Sequence, residues 1–209
     1  MGGYGILKIP EWMIKLAYVN FLWFLFSIIG LGIFGIFPAT IAMFAVARQW
    51  ILGRTDVPIM KNFVIFYKKD FFKANLLGFI LLLVGFTFYL NFQLLGQTDN
   101  PIVQLFYYIL LPLCFMFILT AIYTFPVFVH YEMPLFQVLK NAFYTMIVSP
   151  LSTIGMVAGF IILFLALRNY PGLLVLFGPI LSALLIMWSS HLSFSHILRK
   201  QGDGSHTSF

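Results

Sequence analysis

Charge is what this sequence has least of. Asp, Glu, Lys and Arg make up 9% of its 209 residues, against about 25% in an ordinary soluble domain. Its six carboxylates are Glu11, Asp56, Asp70, Asp99, Glu132 and Asp203. None stands three or four residues from another, so no two share a helix face as paired-carboxylate hydrolysis or a di-metal centre would require. There is one cysteine, Cys114. That excludes an intrachain disulfide and cysteine-based metal ligation, and within an apolar run the thiol reads as a small buried hydrophobe. His191 and His196 stand five apart with no glutamate between them, which is not the HExxH spacing of a zinc protease. Gly30, Gly32 and Gly35 spell GxGxxG, but within an apolar run rather than a strand–turn–helix. Ser149, Ser152, Ser189, Ser190, Ser193 and Ser195 have no histidine–carboxylate pair near them in sequence. No catalytic residue, cofactor or metal ligand is expected, and the chain reads as a non-enzyme.

What the sequence has instead is apolar length. It is 62% hydrophobic, and runs of about 20 apolar residues, enough to cross a bilayer as a helix, recur along it. The expected fold class is an all-α polytopic membrane bundle, with residues 1–209 as a single integral-membrane domain. The first run does not read as a cleavable signal, since more spans follow it. The net charge of +6 does not point to nucleic acid, because no extramembranous domain interleaves basic and aromatic residues. Basic residues beside spans instead mark the cytoplasmic side and anionic lipid. Trp12, Trp50, Tyr67, Tyr108, Tyr131, Tyr144 and Tyr170 are expected in the aromatic belts at the two interfaces.

Expected spans cover residues 12–29, 38–52, 74–95, 101–129, 146–167 and 173–192. The first two are the topological choice. Taken as one helix, residues 12–52 would be about 60 Å long, twice the hydrocarbon thickness. Taken as two, they turn at Gly30–Gly35, and Pro38 opens the second. Six spans with the N-terminus inside put every Lys and Arg except Arg168 on the cytoplasmic side. Five spans move Lys8 and Lys15 outside. The positive-inside rule favours six, with five as the alternative and both termini cytoplasmic in the preferred arrangement.

Residues 37–78 hold half of the basic residues: Arg48, Arg54, Lys61, Lys68, Lys69 and Lys73. Within this stretch Asp56 and Pro58 are expected to start a short helix. Ile59, Met60, Phe63 and Tyr67 would form its apolar face in the acyl boundary, with Lys61, Lys68 and Lys69 among the headgroups. A second amphipathic cytoplasmic helix is expected around Lys140-Asn141, with Leu135, Leu139, Ala142, Phe143 and Met146 as its apolar face. A shift of 79 residues lays Lys61-Asn62 on Lys140-Asn141, a weak internal repeat of 38–95 on 117–168 that reads twice as span, surface helix, span. The polar residues that fall deeper, Asn20, Thr40, Asn91, Thr120 and Ser182, are what a path for a neutral solute would have to use.

These stretches resemble a known family. GIFPATIAMFAVARQWILGRTDVPIMKNFVIFYKKDFFKANLLG and FPVFVHYEMPLFQVLKNAFYT are similar to the two recurrent blocks of the YesL-like integral-membrane proteins of Gram-positive bacteria. The residues that carry the resemblance are Gly35, Phe37-Pro38-Ala39-Thr40, Arg48, the run Phe71–Gly78, His130-Tyr131 and Lys140-Asn141-Ala142. The resemblance implies, by association, an accessory role in carbohydrate uptake beside ABC transporter components, or in sensing beside a sensor kinase. The expectation is a non-enzymatic accessory or regulatory membrane protein, with a small transporter or channel for a neutral solute as the alternative. Motif and interface candidates are Pro38, Arg48, Lys61, Asn62, Lys68, Lys69, His130, Lys140 and Asn141. Expected partners are anionic lipid of the cytoplasmic leaflet and transporter or sensor-kinase subunits.

Overall fold

In a membrane the backbone must satisfy its own hydrogen bonds, and the described residues of this chain do so as eight helices. A computed structural model describes residues 8–96 and 100–204, with side chains over 10–96, 100 and 102–191. Residues 1–7, 97–99 and 205–209 lie outside it. The helices are α1 (Lys8–Ile29), α2 (Ile33–Ile51), α3 (Ile59–Lys69), α4 (Phe71–Leu95), α5 (Pro101–His130), α6 (Leu135–Val148), α7 (Pro150–Leu167) and α8 (Pro171–Gly204). Six of them, all but α3 and α6, are long and apolar enough to cross a bilayer. The chain is a multi-pass membrane protein.

The choice between one long first helix and two is settled at Leu31-Gly32. The amide of Gly32 donates to the carbonyl of Ser27 and that of Leu31 to Ile28, the double closure of a Schellman cap. Both residues have positive φ, 61° and 71°. A turn this short lets α2 resume at Ile33. Pro38 therefore does not open the span, as expected, but lies inside α2, where its missing N–H leaves the helix one bond short. The same cap recurs at the other end of α2, where Gly53 (φ 81°) and Arg54 close back on Trp50 and Gln49.

Prolines also correct the later boundaries. The expected span from Met146 starts instead at Pro150, because the residue before a proline is pushed out of the α region. Ser149 has φ −121° and ψ 61°, and this breaks α6 from α7. Pro112 and Pro126, by contrast, sit inside a continuous 30-residue α5. The last helix runs past the expected Leu192 to Gly204.

α2 is the centre of the bundle, packed by α1, α3, α4, α5 and α8. Small residues make that possible: Ala39, Ala42, Ala45 and Ala47 are all buried, and without bulk between them neighbouring backbones come close. At the α1–α2 turn a Cβ on Gly35 would lie 2.3 Å from the carbonyl oxygen of Ser27, and one on Gly78 of α4 would lie 2.2 Å from the ring of Phe37. The outward faces of α4, α5 and α7 are large and apolar, including Phe79, Phe86, Phe115 and Ile162, as lipid requires.

The two short helices are amphipathic, but their apolar faces meet protein. Phe63 and Tyr67 of α3 are buried, their rings 5.4 and 5.0 Å from that of Phe26 in α1, and the Tyr67 hydroxyl donates to the Phe26 carbonyl. Trp50 is buried too, edge-on to Trp12 at 5.5 Å. Neither Tyr67 nor Trp50 therefore belongs to the expected interfacial belt. The start of α3 also differs: its N-cap is Pro58 with no side-chain cap, so Asp56 does not serve. In α6 the buried set is Val138, Ala142, Thr145 and Met146, while Phe143 is exposed. The face is rotated from the expected one because α6 packs mainly on α5.

One polar contact crosses the bundle where the sequence hides it. Pro179 inside α8 has no N–H for the carbonyl of Val175, four residues back. Asn20 of α1, fully buried, donates its Nδ2 to that carbonyl at 2.7 Å. Asn20→Leu is expected to destabilise the protein by about 1 kcal/mol in detergent unfolding. In a Pro179→Ala background, where residue 179 supplies the missing N–H, the same change should cost measurably less. Equal costs in the two backgrounds would show that Asn20 does not act through this carbonyl.

Candidate functional site

Five charged residues and His130 gather at one place. The ends of α2 and α5 meet the junction of α3 and α4 around a cavity of ≈ 350 Å³. Arg48 comes from the last turn of α2, Lys69 ends α3, Asp70 forms the junction, Lys73 sits in the first turn of α4, and His130, Tyr131 and Glu132 follow from the end of α5. Ile41, Ala45, Phe66 and Phe128 form the apolar floor. The local sequence explains each placement. α2 is closed by Gly53 just beyond Arg48. α5 ends at His130, where Tyr131 is already extended (φ −120°, ψ 130°), so Tyr131 and Glu132 leave the helix and turn over the cavity.

The electrostatics are mixed. Lys69 Nζ and Glu132 Oε1 are 2.5 Å apart, with both side chains largely exposed. The pair joins residues 63 apart in sequence, one from each recurrent block. Its hydrogen bond and charge hold the Glu132 carboxyl below its ordinary range and raise the Lys69 ammonium. Asp70 moves the other way: burial raises its carboxyl, against the opposing pull of Lys69 and Lys73. Arg48 is half-buried, and its Nε, fully enclosed, has no hydrogen-bond partner. The His130 ring stands edge-on to Tyr131, centroids 4.5 Å apart, and His191 from α8 is within electrostatic range of it. The cup thus presents a guanidinium and two ammonium groups beside two carboxylates, an arrangement suited to recognising charge. Its lining holds no serine, threonine or cysteine.

Of the candidates named from sequence, the structure brings together Arg48, Lys69 and His130. Pro38 lies in the buried part of α2, away from the cup lining. Lys61, Lys68 and Lys140 are exposed on α3 and α6 outside it. Asn62 and Asn141 act as tethers: Asn62 donates to Gln49 at the end of α2, and Asn141 to the sulfur of Met133 in the segment before α6. Each anchors its short helix to the chain leaving the preceding span. Asp70, Lys73 and Glu132 were missed as site residues, although Asp70 and Lys73 lie in the basic stretch and Glu132 two residues after His130. Only the fold joins the blocks.

The polar residues weighed for a solute path are mostly satisfied within their own helices. Asn91 donates to the Thr87 carbonyl and Thr120 to that of Met116. Thr40 bonds the Ile36 carbonyl and accepts from the indole of Trp23. Among the described residues no three His, Cys, Asp or Glu cluster as metal ligands would, and His196 lies outside the described side chains.

Among the described residues, eight helices, six of them long and apolar enough to span a membrane, define a polytopic all-helical membrane protein. The family described as "Protein of unknown function, DUF624" matches residues 16–92, from α1 into α4. Three proteins of Bacillus subtilis (strain 168), each described as uncharacterized, are similar over most of their length. YesL is 36% identical over 182 residues, covering 87% of this chain and 86% of that protein. YteU is 35% identical (83% and 78%), and YesV 33% (85% and 86%). The chain belongs to this YesL-like family. No solved structure matches it.

The Lys69–Glu132 pair gives a direct test of the cup. In the folded protein the Glu132 carboxyl should titrate, by its side-chain carbonyl ¹³C shift, below the ordinary glutamate range. Lys69→Gln should return it upward. Because the folded pKa is depressed, the contribution of the pair is present above the unfolded glutamate pKa and is lost as pH falls through the folded one. A titration unmoved by Lys69→Gln would mean the pair does not persist in solution.

Proposed function

We propose that this chain is a non-enzymatic accessory or regulatory protein of the cytoplasmic membrane, and that it recognises a transporter or sensor-kinase subunit through the charged cup. The observation that supports the reading is the cup itself. Both recurrent blocks contribute to it, its ion pair is exposed, and its lining offers charges rather than a nucleophile with its base. Charges exposed at a rim set partner choice and register more than raw affinity. The link to carbohydrate uptake or sensing rests on the family resemblance.

In this reading the cup faces the cytoplasm, as do both termini. Arg48, Lys69 and Lys73 lie in it, and Arg54, Lys61, Lys68 and Lys140 are exposed on segments adjoining it, the side on which basic residues collect and meet anionic lipid. Reporter fusions after Gly35 and after Asn100 should therefore both report the outside. A cytoplasmic signal after Gly35 would reverse the orientation.

Partner recognition is tested by co-purification from native membranes with the full chain. Wild type should bring down a transporter or sensor-kinase subunit. Glu132→Lys should reduce recovery by about tenfold, equivalent to about 1.4 kcal/mol, and the swap Lys69→Glu with Glu132→Lys should restore much of it. Recovery of neither kind of subunit with wild type would overturn the proposal.

A further inference from the structure

The cup has one positive charge in excess. Its lining sets three cations, Arg48, Lys69 and Lys73, against two carboxylates, Asp70 and Glu132. Lys69 pairs with Glu132, and Lys69 and Lys73 are the cations that act on both carboxylates. Arg48 is the one left over. Among the described residues no hydrogen bond or ion pair reaches its guanidinium. A cation near a helix C-terminus can instead bind the last carbonyls. Here the backbone has taken them: the amides of Leu52, Gly53 and Arg54 close on the carbonyls of Arg48, Trp50 and Gln49. His130, within electrostatic range of Arg48, offers no counter-charge.

A half-buried guanidinium without a counter-charge is costly unless an anion meets it. The cavity limits what that anion is. At ≈ 350 Å³ it lies at the small end of the range of small-molecule sites. Its floor is apolar, with Ile41 and Ala45 buried and Phe66 and Phe128 half-buried. Such a floor gives nothing to an inorganic ion but suits the carbon body of an organic acid. A single excess positive charge suits a monoanion, since a second negative charge would face Asp70 and Glu132. The mouth opens to water, because the Lys69 and Glu132 side chains beside it are 54% and 88% exposed. The occupant therefore arrives from water rather than from hydrocarbon.

We propose that the cup binds a small organic carboxylate, gripped by the planar fork of the Arg48 guanidinium, with its apolar body on Phe66 and Phe128. The site goes beyond the partner reading and does not depend on it, since a ligand on the floor leaves the Lys69–Glu132 pair at the rim in place. The test uses the purified full chain in dodecyl maltoside micelles with no partner present, and follows 4-fluorobenzoate by the broadening of its ¹⁹F line. Wild type should broaden it saturably. Unlabelled benzoate should displace it, and benzamide, neutral and of the same shape, should need about tenfold more. Arg48→Met, which keeps the apolar stem, should weaken 4-fluorobenzoate binding about tenfold. The same change should not lower the unfolding temperature of the ligand-free protein, because no protein group loses a partner. Absence of saturable broadening in wild type would overturn the proposal, as would benzamide competing as well as benzoate, or binding unchanged in Arg48→Met. A lowered unfolding temperature in Arg48→Met would overturn it by showing that the guanidinium already has a protein partner. Displacement by dihexanoyl phosphatidylglycerol at or below the benzoate concentration would assign Arg48 to a lipid phosphodiester and overturn it as well.

Discussion

The structure depends on how closely other helices can approach α2. Lipid gives apolar helices no hydrophobic reason to leave it for one another, so association rests on close van der Waals contact and a few hydrogen bonds. α2 supplies the contact through Ala39, Ala42, Ala45 and Ala47, and the Gly30–Gly35 and Gly78–Phe37 contacts set how near α1 and α4 can come. α3 then seals the α1–α2 hairpin with Phe63 and Tyr67. The helix with the lowest hydropathy of the six spans is the most buried, because its environment is protein rather than hydrocarbon.

Packing alone would not dispose of the polar atoms that prolines free. Asn20 shows one solution, a side chain from α1 serving a carbonyl exposed by Pro179 in α8. Ser149-Pro150 shows another, in which the proline lies at a helix start and the chain bends there, dividing α6 from α7. The first kind of contact binds distant parts of the bundle. The second separates a short amphipathic helix from a spanning one. Both follow from the rule that backbone in a membrane must find its partners inside the protein.

The cup is the counterpart of this apolar frame. Because α2, α5 and the α3–α4 junction end together, five charged residues from separate segments share one cavity. The exposed Lys69–Glu132 pair adds little to stability, as such pairs usually do. Its significance is positional, since it places one residue from each recurrent block side by side.

Much of the fold could be read from the sequence. Apolar length gave six spanning helices, the asymmetry of Lys and Arg chose six over five, and amphipathic spacing marked the two short helices. These are properties of each segment against water or lipid, so local composition is enough to determine them. Arg48 and His130 were legible as candidates for the same reason, as rare charged or titratable groups at span ends, and Lys69 as a lysine of the basic surface helix. Tertiary structure alone decided the rest. It placed Pro38 within α2 rather than at its start, turned the aromatic face of α3 toward Phe26, set Asn20 on the carbonyl that Pro179 leaves free, and joined Glu132 to Lys69. Each of these depends on which segment lies opposite, and residues 63 or 155 positions apart meet only after the helices have packed.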